Sequence, residues 1–218
     1  GYSPFTAPAT ANGYDDEFSD AALSASWSEW DVPNRLLATE DTLGLNIDTS
    51  PSAATFSWTG VFKDAPASPW SMWSYVNLSA CVLDTNSNYF GLLIAQDLTA
   101  SPAVADFYSL VATRTAAAYG FDFRRTDDYT NAGGLSVCLV TVSLNDGKIF
   151  PYFVRARYAN GVLSCDLSDD GISWRQFSIS SINFTPWMIG FTMIIPGPGS
   201  TVMRVPFFSM TNSGSFNQ

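Results

Sequence analysis

The chain has 218 residues, 46% of them hydrophobic and 15% aromatic, which is ample for the core of one large domain. Only 14% are charged, against about a quarter in most soluble chains, and the net charge is −10 with no histidine. This balance excludes nucleic-acid partners, which need clustered Lys and Arg, and no apolar run approaches the roughly 20 residues of a membrane-inserted helix.

Residues 1–13 are rich in Pro, Ala and Thr and read as an extended N-terminal arm, suited to docking on neighbouring protein subunits. Residues 14–211 read as one domain and 212–218 as a C-terminal tail. Glu occurs only at positions 17, 29 and 40, and Lys only at 63 and 148, so the usual material of helical surfaces is missing. A single helical turn is expected at "DAALSAS", with Asp20 as its cap. Strand-like segments follow. "LLATEDTLGLNID" reads as a hairpin, and "AATFSWTGVF" and "WSMWSYVNLSACVLD" alternate. "YFGLLIAQD", "DFYSLVATR", "AYGFDFRR" and "LSVCLVTVSLNDGK" continue the series. In "FPYFVRARYANGVLSCDLSDDG", Asn160-Gly161 between two alternating runs is a strong hairpin signal. Alternation there puts Val154, Ala156 and Tyr158 on the apolar face, continued by Leu163, Cys165 and Leu167, with Arg155 and Arg157 opposite. Asp169-Asp170-Gly171 is a second turn, and Trp174 is expected to fold over the sandwich edge. "TPWMIGFTMIIPGPG" and "TVMRVPFFSM" close the chain. The pattern predicts an all-β, two-sheet antiparallel sandwich.

These segments together resemble the concanavalin A-like lectin/glucanase superfamily. The opening "YDDEFSDAALSASWSEW" is similar to a D-x-F-x-D-x-x-L-x-x-x-W entry. "NSNYFGLLIAQD…DFYSLVATR" resembles that family's central strand pair, and "FVRARYANGVLSCDLSDDGISWRQF" its R-x-G-N…S-x-D-G-x-x-W hairpin. "TPWMIGF" and "RVPFFSM" are similar to its closing strands. The resemblance implies a jelly-roll sandwich with one concave sheet, across which many members hold ligands. The glucanase E-x-D-x-x-E strand cannot occur here, because no Glu follows position 40. The closing "VPFFSM" lacks the acidic residue of calcium-binding members, which disfavours a calcium site on Asp15, Asp16 and Asp20; no cofactor or metal is expected.

The chemistry available is narrow. Without histidine there is no Ser-His-Asp or Cys-His nucleophile pair, no H-E-x-x-H zinc site and no imidazole proton shuttle. Cys81, Cys138 and Cys165 lie in apolar runs and read as buried thiols. A glycosidase needs two opposed carboxyls, for which Asp122 with Asp166 is a weak alternative. The expectation is therefore a non-enzyme that recognises a glycan, since sugar rings stack on aromatics and their hydroxyls pair with amides, carboxylates and Arg forks. The candidate carbohydrate-binding residues are Trp70, Trp73, Tyr75, Arg124, Tyr129, Arg155, Arg157 and Asp166. Trp73 and Tyr75 share a parity; Arg155 and Arg157 across from Asp166 equally suit an ion-pair ladder. The setting expected is a virion surface or extracellular assembly, with a purely structural capsid-decoration or fibre subunit as the alternative. Asn77-Leu78-Ser79 and Asn183-Phe184-Thr185 are two weak glycosylation sequons.

Overall fold

The computed structural model describes residues 16–18, 20–31, 36–41, 43–49, 57–81, 88–96, 107–114, 119–126, 136–143, 152–195 and 201–211. Among them there is no helix and every named element is a strand. In chain order these are β1 (Ser28–Asp31), β2 (Leu36–Asp41), β3 (Gly44–Thr49), β4 (Ser57–Asp64), β5 (Trp70–Cys81), β6 (Asn88–Ala95), β7 (Phe107–Arg114) and β8 (Tyr119–Thr126). They continue as β9 (Ser136–Ser143), β10 (Tyr152–Ala159), β11 (Val162–Ser168), β12 (Arg175–Ser181), β13 (Met188–Ile195), β14 (Thr201–Val205) and β15 (Ser209–Thr211). Val, Thr, Phe and Tyr at alternate positions favour this state, because their branched or planar side chains pack well on a pleated surface.

The strands form two antiparallel sheets. The seven-stranded sheet runs β1-β4-β13-β6-β7-β8-β9, and the eight-stranded sheet runs β12-β11-β10-β5-β14-β3-β2 with β15 also paired to β5. Alternation decides what lies between them. Val154, Ala156 and Tyr158 of β10 meet Leu163, Cys165 and Leu167 of β11 in the same buried cluster as Phe90, Leu92, Ile94, Phe121, Phe123, Phe191 and Met193 from the other sheet. Burying each large apolar side chain contributes about 1.5–3 kcal/mol, so this cluster is the main source of stability. The run Leu92–Ala95 departs from alternation because the seven-stranded sheet is buried on both faces. Leu93 and Ala95 belong to a second cluster with Trp30, Phe62, Phe107, Val111 and Met188.

The hairpin joining β10 to β11 forms as the sequence predicts. Asn160 and Gly161 both take positive φ, 51° and 78°, the two left-handed positions of a tight turn whose twist matches the strands. The "DAALSAS" segment is not a helical turn. Ala21 has φ 63°, and the Asp20 carboxylate accepts from Ala22 N at 3.2 Å, closing a local turn that competes with helix. The entry segment acts instead as a clasp. Asp16 and Phe208 exchange backbone hydrogen bonds of 2.8 and 2.6 Å. Asp16 Oδ2 also accepts from Trp27 Nε1 at 2.7 Å, and the Trp27 ring stacks on Phe191 at 6.0 Å. The ammonium of the buried Lys63 lies 4.7 Å from that ring. The expected arm at 1–13 and the tail at 212–218 lie outside the described residues.

Candidate functional site

The same alternation that sends Val154 and Ala156 inward sends Phe153, Arg155 and Arg157 to the outer face of the eight-stranded sheet. β5 and β10 are neighbours in a register that sets Tyr75 beside Phe153 and Trp73 beside Arg155. β11 pairs on the other side and sets Asp166 beside Arg155. One row across three strands thus reads Trp73, Arg155, Asp166. Asp166 Oδ2 accepts from Arg155 Nε at 2.8 Å and from Arg157 Nε at 2.7 Å, while its Oδ1 accepts from Arg157 Nη2 at 2.9 Å. The Asp166 side chain is 1% exposed, and those of Arg155 and Arg157 are 20% and 18% exposed. An irregularity between Cys165 and Asp166 brings Gln176 of β12 opposite Asp166, where its amide oxygen accepts from Arg157 Nη2 at 3.2 Å.

Aromatic rings surround this charged row. The Arg155 guanidinium lies 4.3 Å from the centre of the Trp174 ring. Trp174 meets Trp73 edge-on at 5.9 Å, and Trp73 in turn touches Phe153 at 6.0 Å and Phe207 at 4.8 Å. Tyr75 meets Phe153 at 5.1 Å. Trp73, Tyr75 and Trp174 are half-buried, each leaving part of its ring to water.

The turn after β11 positions Trp174. Asp170 Oδ1 accepts from Ser173 N at 2.7 Å, Ile172 N at 2.8 Å and the Ser168 hydroxyl at 2.9 Å, and Ser168 Oγ accepts from Gly171 N at 2.9 Å. Gly171 has φ +73°, and a Cβ there would sit 3.3 Å from the Phe153 ring, so the turn closes onto the outer face. The backbone donors of Ser173 and Ile172, then the Ser168 hydroxyl, lower the Asp170 pKa to about 2. A carboxyl depressed on folding stabilises the fold above its unfolded pKa, about 3.9, and loses that contribution as pH falls through the folded value. Asp170→Asn should therefore melt lower than wild type at pH 5, with the gap closing towards pH 2. Thermal unfolding of both proteins across that range is the check.

The structure divides the sequence-derived site residues. Trp73, Tyr75, Arg155, Arg157 and Asp166 share the outer face just described. Trp70 does not: it has the opposite parity on β5, is 1% exposed, and packs 5.5 Å from Tyr158 in the core, so no ligand on this face reaches it. Arg124 is in β8 of the other sheet, paired with Asp122 at 3.0 Å and lying 4.5 Å from the Tyr89 ring. Asp122 and Asp166 therefore stand on opposite outer faces with the core between them, and they cannot flank one glycosidic bond. Tyr129 lies outside the described residues. Trp174 and Phe153 join the site although neither was selected, and Trp174 covers the outer face rather than the sandwich edge.

Other candidates are placed as follows. Both Asp16 carboxylate oxygens accept protein donors, Phe18 N at 3.0 Å and Trp27 Nε1 at 2.7 Å, and Asp15 is outside the described residues. Cys165 is a free buried thiol whose pKa burial pushes well up; the side chains of Cys81 and Cys138 are not described. Asn77 lies within β5, whereas Asn183 is exposed in a bend after β12.

No protein-family model and no curated protein sequence matches the chain. Solved structures do. The catalytic domain of an endo-1,3-β-glucanase (laminarinase) from Thermotoga petrophila RKU-1 superposes with a TM-score of 0.64 at 8% identity, covering 92% of this chain and 97% of that one. A legume lectin-like domain from Entamoeba histolytica gives 0.60 at 10% identity over 87% and 91% of the two chains. The CBM2 module of the evolved Dit from Lactobacillus casei BL23 phage J-1 gives 0.54 at 11% identity over 90% and 93%. At such identities the likeness is one of fold. The chain is an antiparallel two-sheet β-sandwich, the fold it shares with these lectin-like and glucanase domains.

Proposed function

We propose that the protein recognises carbohydrate without cleaving it, through the outer face of the eight-stranded sheet. The observation that carries this reading is the row of half-exposed rings, Tyr75, Trp73 and Trp174, around the Arg155–Asp166–Arg157 cluster. Rings of this kind offer flat apolar contact to sugar C–H faces, and the cluster offers fixed donors to hydroxyls at low entropic cost. The non-catalytic part of the reading rests on the absence of histidine and on the separation of Asp122 from Asp166. A place in a virion or extracellular assembly accords with the low Lys content and with the phage module among the similar folds.

A glycan array probed with wild type and Trp73→Ala tests it. Wild type should bind a defined subset of glycans that Trp73→Ala, still folded, fails to hold. Absence of binding to every glycan would leave the structural-subunit reading in its place, and release of reducing sugar from a bound oligosaccharide would overturn the non-catalytic reading.

A further inference from the structure

Two arginines share one aspartate on the outer face, and they use it unequally. Arg157 spends Nε and Nη2 on Asp166 and Nη2 also on Gln176, a side-on pairing that uses its fork. Arg155 spends only Nε on Asp166; its terminal nitrogens make no hydrogen bond with any described residue. That guanidinium is nonetheless fixed in place, with Asp166 on one edge and the Trp174 ring 4.3 Å away. Its side chain keeps 20% exposure.

A guanidinium held this way is a receptor for a carboxylate. Its planar fork matches the two oxygens, and little rotamer freedom remains to be lost on binding. The nearby acids do not fill this role. Asp166 is buried beneath the arginines, and the Asp170 oxygen Oδ1 is turned into its own loop by three donors. Asp169 is exposed, where solvent and salt screen it. Arg124, with its Asp122, is on the opposite face, and Arg204 is paired with Asp41 at 3.2 Å.

We infer that the site selects glycans ending in a sugar with a single carboxylate, such as a uronic or sialic acid, with Arg155 receiving the carboxylate and the Trp174 and Trp73 rings supporting the sugar. This rests on the carbohydrate-binding reading and adds the class of ligand and the residue that reads it.

Matched pairs of oligosaccharides provide the experiment: glucose-ended against glucuronic-acid-ended, and galactose-ended against sialic-acid-ended, with sulfated counterparts as a third arm. Wild type should bind at least one acid-ended member about tenfold or more tighter than its neutral partner, the worth of one charge-assisted pairing. Arg155→Gln should abolish that preference, lowering affinity for the acid-ended member about tenfold more than affinity for its neutral partner. Arg155→Lys should not restore it, because an ammonium presents a point charge rather than a fork. Equal binding of both members, preference for the sulfated arm, or a preference that survives Arg155→Gln would overturn the assignment while the carbohydrate reading stands. Failure of wild type to bind any member, neutral or acidic, would overturn both. Should Arg155→Gln not fold, the wild-type pairs and Arg155→Lys decide the matter alone.

Discussion

Asp166→Ala should lower the stability of the protein by about 3 kcal/mol, far more than removal of an ordinary surface ion pair, which is worth about 0–1 kcal/mol. The difference lies in burial. The carboxylate is 1% exposed and accepts three N–H donors from two arginines, so its desolvation is offset only by that geometry. Removing it strands two guanidiniums side by side on neighbouring alternate positions of β10. They keep 20% and 18% exposure and can recruit water, which holds the loss near the lower end of the roughly 3–5 kcal/mol typical of breaking a buried pair. Urea unfolding should show a lower midpoint at unchanged slope. A triple variant, Arg155→Met, Arg157→Met and Asp166→Leu, should recover most of the loss, because no charge is then left without a partner. A loss below about 1 kcal/mol for Asp166→Ala would identify the cluster as a solvent-screened ladder of little structural weight.

The parts of this site that were legible in the sequence are those set by local geometry. Period-two alternation separates Arg155 and Arg157 from Val154 and Ala156, and Asn160-Gly161 fixes the register that sets Asp166 opposite Arg155. Parity also separates Trp70 from Trp73. Trp70, of the other parity, was still among the candidates, and the structure places it in the core. What alternation cannot supply is sheet order. Arg124 faces outward as its strand pattern requires, but outward from the other sheet, and nothing near position 124 records which sheet β8 joins. Trp174 reaches Arg155 and Trp73 only because β5, β10, β11 and β12 are consecutive neighbours and because the Ser168–Ser173 turn closes onto Phe153. The D-G-x-x-W spacing around Asp170 and Trp174 was the available signal, read as an edge feature for want of that neighbourhood. At "DAALSAS", the short polar side chains that make good helix caps make equally good isolated turns, and no amphipathic stripe follows to favour the helix.

Trp70→Ala and Trp73→Ala, three residues apart on one strand, should fail in opposite ways. Trp70 is 1% exposed, so its loss opens a cavity between the sheets and costs about 3–5 kcal/mol. For a domain of ordinary stability, about 5–15 kcal/mol, that leaves a small margin or none. Its buried indole nitrogen has no hydrogen-bond partner among the described residues, so Trp70→Phe removes an unsatisfied donor along with some volume and should be tolerated far better than alanine. Trp73 stands on the outer face with part of its ring already in water, and its neighbours Phe153, Phe207 and Trp174 remain in contact with the sheet when it is cut back. Trp73→Ala should therefore cost less stability than Trp70→Ala while removing glycan binding from protein that is still folded. Denaturation and binding measured on the same preparations separate the two. For Trp70→Ala, binding per folded molecule should stay at the wild-type level; for Trp73→Ala it should fall although the folded fraction is high. If binding instead tracks the folded fraction in both variants, the rings on this face serve only to pack the sheet, and the ligand surface lies elsewhere on the sandwich.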